Sequence, residues 1–387
     1  MKNIIRLLKT KVDLSRRIGS CFTDIRHKPQ IPLTHIITSI FLMPIVGLRS
    51  FLALDNKSRQ SPFKKLLGSK RKMVCSDSTI ERVLRWIKNS ESQKWALGFP
   101  DLFEEHDALK IKLTQKGKSR RFGIIDGSFM GGHWVSVLSL AAKINFPILI
   151  ESYPKIGKEL DASHKILDQI PQTLQKSSPE LFLMDSLYFN QGIFDKIVNG
   201  LGAHFIVKSR DADFREVLKD AELVLEHYSD ESLESKGFDE SRMCSYRIYS
   251  DEGEYKGFPL KIIRVDEHYN KRAKGKRDVS FYAVCSDLDM EADEIREAAH
   301  WRWQIENNVF KRLNEHCGSK LVRTSNLKSF INWLQIICMG LSLFDFLMFI
   351  IEGSKEQWKK FCDGSKATWK NLQSIFWEKV LTHMVLI

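Results

Sequence analysis

The sequence predicts an α/β protein with a mixed central sheet, a β-rich insertion and helical regions at both ends. Between residues 120 and 211, short apolar runs such as GIIDGS and LFLMD alternate with stretches of helical periodicity, which is typical of an α/β core. From 212 to 290, strand-like runs predominate. Before and after these segments, apolar residues recur at helical spacing.

This pattern divides the chain into five segments: 1–115, 120–211, 212–290, 291–325 and 326–387. The first is predicted to be helical, and the basic run KGKSRR leads from it into the core. The second should form the first part of the core, with three strands followed by a helix, a strand, a helix and a strand. The third is the β-rich insertion. The fourth should contain a single long core helix that carries Glu306, and the fifth is expected to be helical.

The composition is basic. The 60 Lys and Arg residues outnumber the 48 Asp and Glu residues, which gives a net charge of +12. This balance favours a polyanionic partner, with nucleic acid ahead of a membrane. The seven cysteines are scattered and form no CxxC pair, so they indicate neither a disulfide framework nor a zinc site. We therefore expect a protein of the reducing cytosol.

Two apolar stretches raise the question of a membrane. The first, IPLTHIITSIFLMPIVGLRSFLAL, contains Pro44 and Arg49, and the second, FINWLQIICMGLSLFDFLMFII, contains Gln335 and Asp345. A charge at the centre of a membrane helix costs about 2–3 kcal/mol. We expect both stretches to be buried helices of a soluble fold, with no membrane partner. The start of the chain, MKNIIRLLKTKVDLSRR, is too charged to predict a signal peptide.

Three carboxylates occupy positions that suit a metal site. Asp126 follows the apolar run GII, and Asp185 follows LFLM, so each lies where a buried strand ends. Glu306 lies on a later helix. Carboxylates that converge on one point repel each other unless cations neutralise them, and hard oxygen ligands suit Mg²⁺ or Mn²⁺. Two such ions could activate a water or a 3′-hydroxyl and stabilise the leaving oxygen of a phosphodiester.

The runs GIIDGS, LFLMDSLYFN and RWQIENNVF together resemble the three catalytic blocks of bacterial insertion-sequence transposases. These are DDE enzymes of the cut-and-paste group, with a ribonuclease H-like mixed-sheet core and a β-insertion before the glutamate. The resemblance covers roughly residues 120–325. It implies that Asp126, Asp185 and Glu306 are the catalytic metal ligands. It also implies Mg-dependent cleavage and strand transfer of DNA phosphodiesters at the ends of an insertion sequence, by a homodimer that bridges two ends.

The pair formed by Arg302 and Glu306 is four residues apart and shares one face of a helix. Arg302 could contact a DNA phosphate or orient Glu306, and a simple salt bridge on a helix surface is the alternative. Ala299 and Leu313 occupy the positions of the family's signature tyrosine and lysine. Lys311 is near, but in a regular α-helix it would point about 140° away from Glu306. These departures leave open how the DNA end is held and whether cleavage passes through a hairpin.

Other basic residues are candidate DNA contacts beside Arg302 and Lys311. Lys208 and Arg210 close the strand HFIVKSR and should lie at the same sheet edge as the two aspartates. The turn NKRAKGKR is suited to phosphate contacts, although a solvated turn is the alternative; its basic residues are Lys271, Arg272, Lys274, Lys276 and Arg277. The helical region 1–115 is the candidate DNA-binding domain. The resemblance implies that the partners are double-stranded terminal inverted repeats and target DNA, in the nucleoid-associated cytoplasm.

Two other functions stay open at the level of sequence. A ribonuclease H-like nuclease without strand transfer would use the same three carboxylates. A DNA-binding protein derived from a transposase would keep the basic surfaces and lack catalysis. The complete Asp–Asp–Glu set argues against the second of these, and the missing tyrosine and lysine argue for it.

Overall fold

A sheet of nine strands forms the centre of the part of the chain that the structure describes. The structure is a computed structural model and describes residues 12–67, 75–174, 177–209, 232–270, 278–303, 305–315, 317–319, 324, 326–353 and 369–379. The strands are β1 (Phe122–Met130), β2 (His133–Ala141), β3 (Asn145–Tyr153), β4 (Leu181–Asp185), β5 (His204–Ser209), β6 (Leu233–Asp239), β7 (Cys244–Tyr255), β8 (Phe258–Tyr269) and β9 (Val279–Cys285).

The strand order is β3-β2-β1-β4-β5-β9-β8-β7-β6. β1, β2 and β3 form an antiparallel meander, whereas β4 runs parallel to β1 and β5 runs parallel to β4. β9 then pairs antiparallel with β5, and β8, β7 and β6 follow in antiparallel order. The predicted α/β class with a mixed sheet is confirmed. The strands predicted as an insertion extend this same sheet, because β9 pairs with β5.

Helices pack around the sheet; in the chain they come before the strands, between them and after them. The helices before the sheet are α1 (Leu14–Cys21), α2 (Leu33–Leu42), α3 (Phe51–Ser58), α4 (Ser61–Leu66), α5 (Asp77–Trp86), α6 (Asn89–Ala96) and α7 (Pro100–Glu104). Those within and after the sheet are α8 (Glu159–Thr173), α9 (Gln191–Asp195), α10 (Ala292–Trp301), α11 (Lys311–Glu315), α12 (Leu327–Glu352) and α13 (Trp369–Lys379). Short apolar runs with turn residues between them account for the strands, and 3.6-residue apolar spacing accounts for the longer helices.

The segment that carries Glu306 is not one continuous α-helix, so that prediction was wrong. α10 ends at Trp301, a π-helix spans Ile305–Phe310, and α11 begins at Lys311. A π-helix closes its turns with hydrogen bonds between residues five apart and often occurs at functional sites. Apolar periodicity over so few residues does not distinguish a π-turn from an α-turn, so the π-helix could not be predicted from the sequence.

α12 is a buried central helix, as the sequence predicts. Among the described residues it is the one helix long and apolar enough to cross a membrane, yet 83% of its apolar window is buried inside the fold. It packs against β3 and against α2, α5 and α6. Two amide side chains of α12 donate hydrogen bonds to the elements around it. Asn332 Nδ2 donates to the carbonyls of Leu84 and Ile87, at 3.0 and 2.9 Å. Gln335 Nε2 donates to the Ile148 carbonyl at 3.0 Å. α12 therefore joins the N-terminal helices to the sheet.

We predict that Asn332→Ala destabilises the fold by about 2–4 kcal/mol. The change leaves the carbonyls of Leu84 and Ile87 without this donor, and it removes one of the two acceptors of the Ser92 hydroxyl, which lies 2.8 Å from Asn332 Oδ1. Urea unfolding followed by circular dichroism measures the loss. Leu327→Ala on the same helix, where Leu327 is 40% exposed, is the matched control and should change stability little. Equal effects of the two substitutions would contradict this account of α12.

Candidate active site

Asp185 is the last residue of β4, as the sequence predicts, whereas the prediction that Asp126 ends a strand was wrong, because β1 continues to Met130 in its pairing with β2. Asp126 lies in the middle of β1, just beyond the last pair that β1 forms with β4. The parallel register pairs Ile124 of β1 with Leu183 of β4. Continued by two residues, this register brings Asp126 beside Asp185 on the same face of the sheet. Each carboxylate also accepts a hydrogen bond from the backbone just after it: Asp126 Oδ1 accepts from the Gly127 N–H at 3.0 Å, and Asp185 Oδ1 accepts from the Leu187 N–H at 3.0 Å.

Arg302 connects Asp126 to Glu306. Its Nη1 lies 3.5 Å from Asp126 Oδ2, and its Nη2 lies 3.4 Å from Glu306 Oε1. Arg302 is only 8% exposed, so the pair with Glu306 is not the surface salt bridge that the spacing alone would allow. The guanidinium thus lies between an aspartate of β1 and the π-helix, and its charge attracts both elements.

Burial and the neighbouring charges of the site act together on the ionisation of Asp126. Burial raises the pKa of Asp126 to about 7, the Arg302 guanidinium opposes that rise, and the negative charges of Asp185, Glu159 and Glu306 add to it. Each of these three carboxylates is therefore near enough to act on Asp126. The structure brings the three carboxylates predicted from the sequence to one edge of the sheet, together with a fourth, Glu159.

The donor set suits a hard divalent cation, because carboxylate oxygens are the ligands that Mg²⁺ and Mn²⁺ prefer. Within the described residues, no three His, Cys, Asp or Glu side chains are arranged closely enough to hold one metal ion. The reason is visible in the ion pairs: Arg302 lies between Asp126 and Glu306. The residues fit a metal by their chemistry, and Glu306 would have to turn away from Arg302 to join the aspartates.

A cleft of about 500 Å³ opens beside Asp126 and Glu306. It is lined by Asp126, Gly127, Ser128, Glu306, Phe310, Lys311, Asn314 and Glu315. The expectation that Lys311 points away from Glu306 was wrong, because the turn between them is a π-turn, which brings residues five apart close to the same face. Ala299 and Leu313, which replace the family's tyrosine and lysine, are both buried. Lys311 is thus an exposed cation in the cleft.

Among the other predicted cations, Lys208 is within the residues that the structure describes. Lys208 pairs with Asp185 in the register of β4 and β5, so it lies at the predicted sheet edge. Its ammonium is 3.8 Å from the centre of the Phe281 ring, a cation–π contact that fixes its direction. The remaining predicted cations lie outside the described residues, namely Arg210, Lys271, Arg272, Lys274, Lys276 and Arg277.

Glu159 is the site residue that sequence reasoning missed. It is the first residue of α8, and its carboxylate accepts hydrogen bonds from the hydroxyls of Tyr188, at 2.5 Å, and Tyr153, at 3.3 Å. Burial raises the pKa of Glu159, the Tyr188 hydrogen bond opposes this, and the charge of Asp185 adds to it. In the sequence, an acidic residue in the first turn of a helix is ordinary, because it stabilises the helix dipole. Nothing in that pattern indicates a site.

The chain matches the family model for the transposase DDE domain over residues 146–343, a little more than half of its length. It therefore belongs to the DDE transposases of insertion sequences, as its three blocks indicate. The matched segment includes Asp185 and Glu306 and begins after Asp126. Enzymes of this family act on DNA and generally use divalent metal ions. No curated protein matches the chain.

We predict that Asp126→Asn stabilises the folded protein at pH 8 by about 1–3 kcal/mol when divalent ions are removed with EDTA. Because the folded pKa is raised, the contribution of neutral Asp126 is complete below about pH 4 and is lost as the pH rises through about 7. The asparagine keeps the neutral form at every pH, so its advantage should grow between pH 5 and pH 8. Urea unfolding at both values tests this, with exposed Asp289→Asn as the control. An advantage that does not grow with pH would refute it.

Proposed function

We propose that this protein is a transposase that cleaves DNA at the ends of its insertion sequence and joins those ends to target DNA, using two Mg²⁺ or Mn²⁺ ions. The observation that carries the proposal is the convergence of Asp126, Asp185 and Glu306 at one sheet edge, in a chain that belongs to the DDE transposases. Asp126 and Asp185 are 59 residues apart in the sequence, and Asp185 and Glu306 are 121 residues apart. Packing alone gives a fold no reason to bring like charges together.

The topology supports a ribonuclease H-like core. In the order β3-β2-β1-β4-β5, an antiparallel meander is followed by two strands parallel to β1. Strands β6 to β9 come between β5 and the helices that carry Arg302 and Glu306, where the cut-and-paste group has its β-insertion. The division of the chain into a helical DNA-binding region, a split core, an insertion and a helical C-terminal region is part of this proposal.

Asp126, Asp185 and Glu306 would hold the ions, which when bound supply a nucleophilic oxygen and stabilise the leaving oxygen. The chain's own residues prepare that chemistry. Asp126 must be ionised to serve as a ligand, so its raised pKa makes the site sensitive to pH near 7. Arg302 offsets the charges of Asp126 and Glu306 and keeps the latter at the site. Arg302 would contact a DNA phosphate only after its ion pair with Glu306 has broken.

DNA would reach the site along the cleft and the sheet edge. Lys311, which lines the cleft, and Lys208, which pairs with Asp185 in the sheet register, would contact phosphates near the cut. Arg210 and the five basic residues between 271 and 277 would extend this surface. We further propose that a homodimer holds the two inverted repeats and the target, and that the protein acts in the cytoplasm at the nucleoid. The net charge of +12 supports a DNA partner.

A second candidate is a transposase-derived DNA-binding protein without catalysis. The observation that favours it is the burial of Leu313 at the family's lysine position, with Arg302 placed between Asp126 and Glu306. Lys311 argues against this reading of the buried Leu313, because the π-turn brings Lys311 into the cleft as a cation. A ribonuclease H-like nuclease that cuts DNA without joining it would have the same site geometry. The reaction products would distinguish it from a transposase.

We predict that Glu306→Gln lowers cleavage by about 1,000-fold or more, because loss of a metal ligand removes several kcal/mol of transition-state stabilisation. The assay incubates the full-length protein with Mg²⁺ and DNA that carries the inverted repeats flanking its gene. DNA binding, measured by gel shift, should persist. Exposed Glu240→Gln is the matched control and should cleave normally. Cleavage retained by Glu306→Gln would defeat the site assignment, and binding without cleavage by the natural protein would favour the second candidate.

We predict that Lys311→Ala weakens binding to end DNA by about 3–10-fold and lowers the salt dependence of binding by about one phosphate contact. The reason is its place in the cleft beside Glu306. Titration at several KCl concentrations measures both quantities. Lys165→Ala on α8, an exposed lysine outside the cleft, should leave the salt slope unchanged. Identical slopes for the Lys311→Ala variant and the natural protein would exclude Lys311 as a phosphate contact.

A further inference from the structure

We propose that Glu159 is a positioning residue that holds the parts of β1 and β4 bearing Asp126 and Asp185 at the separation needed to share metal ions. This inference rests on the proposed function, because it assigns a task to a residue beside the metal ligands. It is drawn from three contacts that converge on one carboxylate, involving Tyr188, Tyr153 and Gly127.

The first contact joins Glu159 to the end of β4. Tyr188 follows Asp185 by three residues, in the short 3₁₀ turn Ser186–Tyr188 that Asp185 itself caps. The Tyr188 ring is fully buried, and its hydroxyl donates to Glu159 Oε1 at 2.5 Å. Ser163, one helical turn after Glu159, lies 3.5 Å from the same hydroxyl. The position of the turn after Asp185 is therefore tied to the first turn of α8.

The second contact joins Glu159 to β1. Gly127 follows Asp126 directly, and a methyl group at Gly127 would come within 2.3 Å of the Glu159 carboxylate carbon. The carboxylate occupies the space that a side chain would take. This explains why glycine follows the aspartate in GIIDGS: any larger residue would displace Glu159 from its tyrosine partners. One carboxylate thus touches the neighbours of both aspartates.

The third contact, with Tyr153, favours a positioning role for Glu159 over direct metal binding. Tyr153, at the end of β3, donates to Glu159 Oε2 at 3.3 Å, so each carboxylate oxygen accepts from a tyrosine hydroxyl. Oxygens that are engaged in this way orient their surroundings, and such groups behind metal ligands commonly tune metal affinity by 10–100-fold. Glu159 therefore acts on the metal through Asp126 and Asp185 instead of binding it.

The test measures Mn²⁺ affinity by isothermal titration calorimetry on the full-length protein without DNA. Glu159→Ala, Tyr188→Phe and Gly127→Ala should each weaken Mn²⁺ binding by about 10-fold. Glu159→Gln should stay within about 3-fold of the natural protein, because the amide oxygen still accepts from Tyr188. Unfolding by urea gives the stability of each variant. Tyr188→Phe removes one hydroxyl only, so it keeps the test decisive if Glu159→Ala does not fold.

Three results would overturn the inference. Natural affinity in both Glu159→Ala and Tyr188→Phe would show that Glu159 does not position the aspartates. Loss in Glu159→Gln as severe as in Asp126→Asn, with Tyr188→Phe normal, would make Glu159 a direct ligand. Weakening that simply follows the loss of stability across the variants would leave Glu159 a structural residue. Failure of the proposed metal site itself is distinguishable, because Asp126→Asn would then bind Mn²⁺ as well as the natural protein.

Discussion

Mutual repulsion among four neighbouring carboxylates is the constraint on which the arrangement of this molecule depends. Asp126, Asp185, Glu306 and Glu159 share one edge of the sheet, where burial and their combined charge raise the pKa of Asp126 to about 7. A protein gains no stability by such an arrangement, so the surrounding structure must hold it in place. Arg302 supplies a neutralising charge between two of the four, and divalent cations are the natural complement of the remainder.

The segment that carries Arg302 and Glu306 is anchored at both ends. Before it, Arg296 of α10 is buried and donates through Nε to Glu267 of β8 at 2.8 Å, which fastens the helix to the extended sheet. After it, Arg312 of α11 pairs with Asp345 of α12, with Nη1 at 2.6 Å from Oδ2. Because α12 also packs on β3, the distance from Glu306 to the aspartates is set by packing on two sides of the π-helix.

Much of the fold follows from residue patterns, but the finer geometry of the site does not. The apolar run before Asp185 correctly predicted a strand that ends at this aspartate, but Asp126 lies within β1, because the pairing with β2 extends that strand to Met130. Gln335 and Asp345 correctly indicated that α12 is a buried helix instead of a membrane span. Periodicity could not reveal the π-turn that brings Lys311 into the cleft, because the two kinds of helix differ by less than one residue per turn. Glu159 could not be predicted as a site residue, because its role depends on contacts with Tyr188 and Gly127, which are distant from it in the sequence. Local sequence carries no record of such contacts.

The most direct measurement is a crystal structure of the protein grown with Mn²⁺, in which anomalous scattering locates the ions. The account predicts a peak within about 2.5 Å of carboxylate oxygens from both Asp126 and Asp185, with Glu306 turned from Arg302 towards it. Manganese bound elsewhere on the molecule, with these three carboxylates still apart and Glu306 still paired to Arg302, would contradict the claim that they form a metal centre.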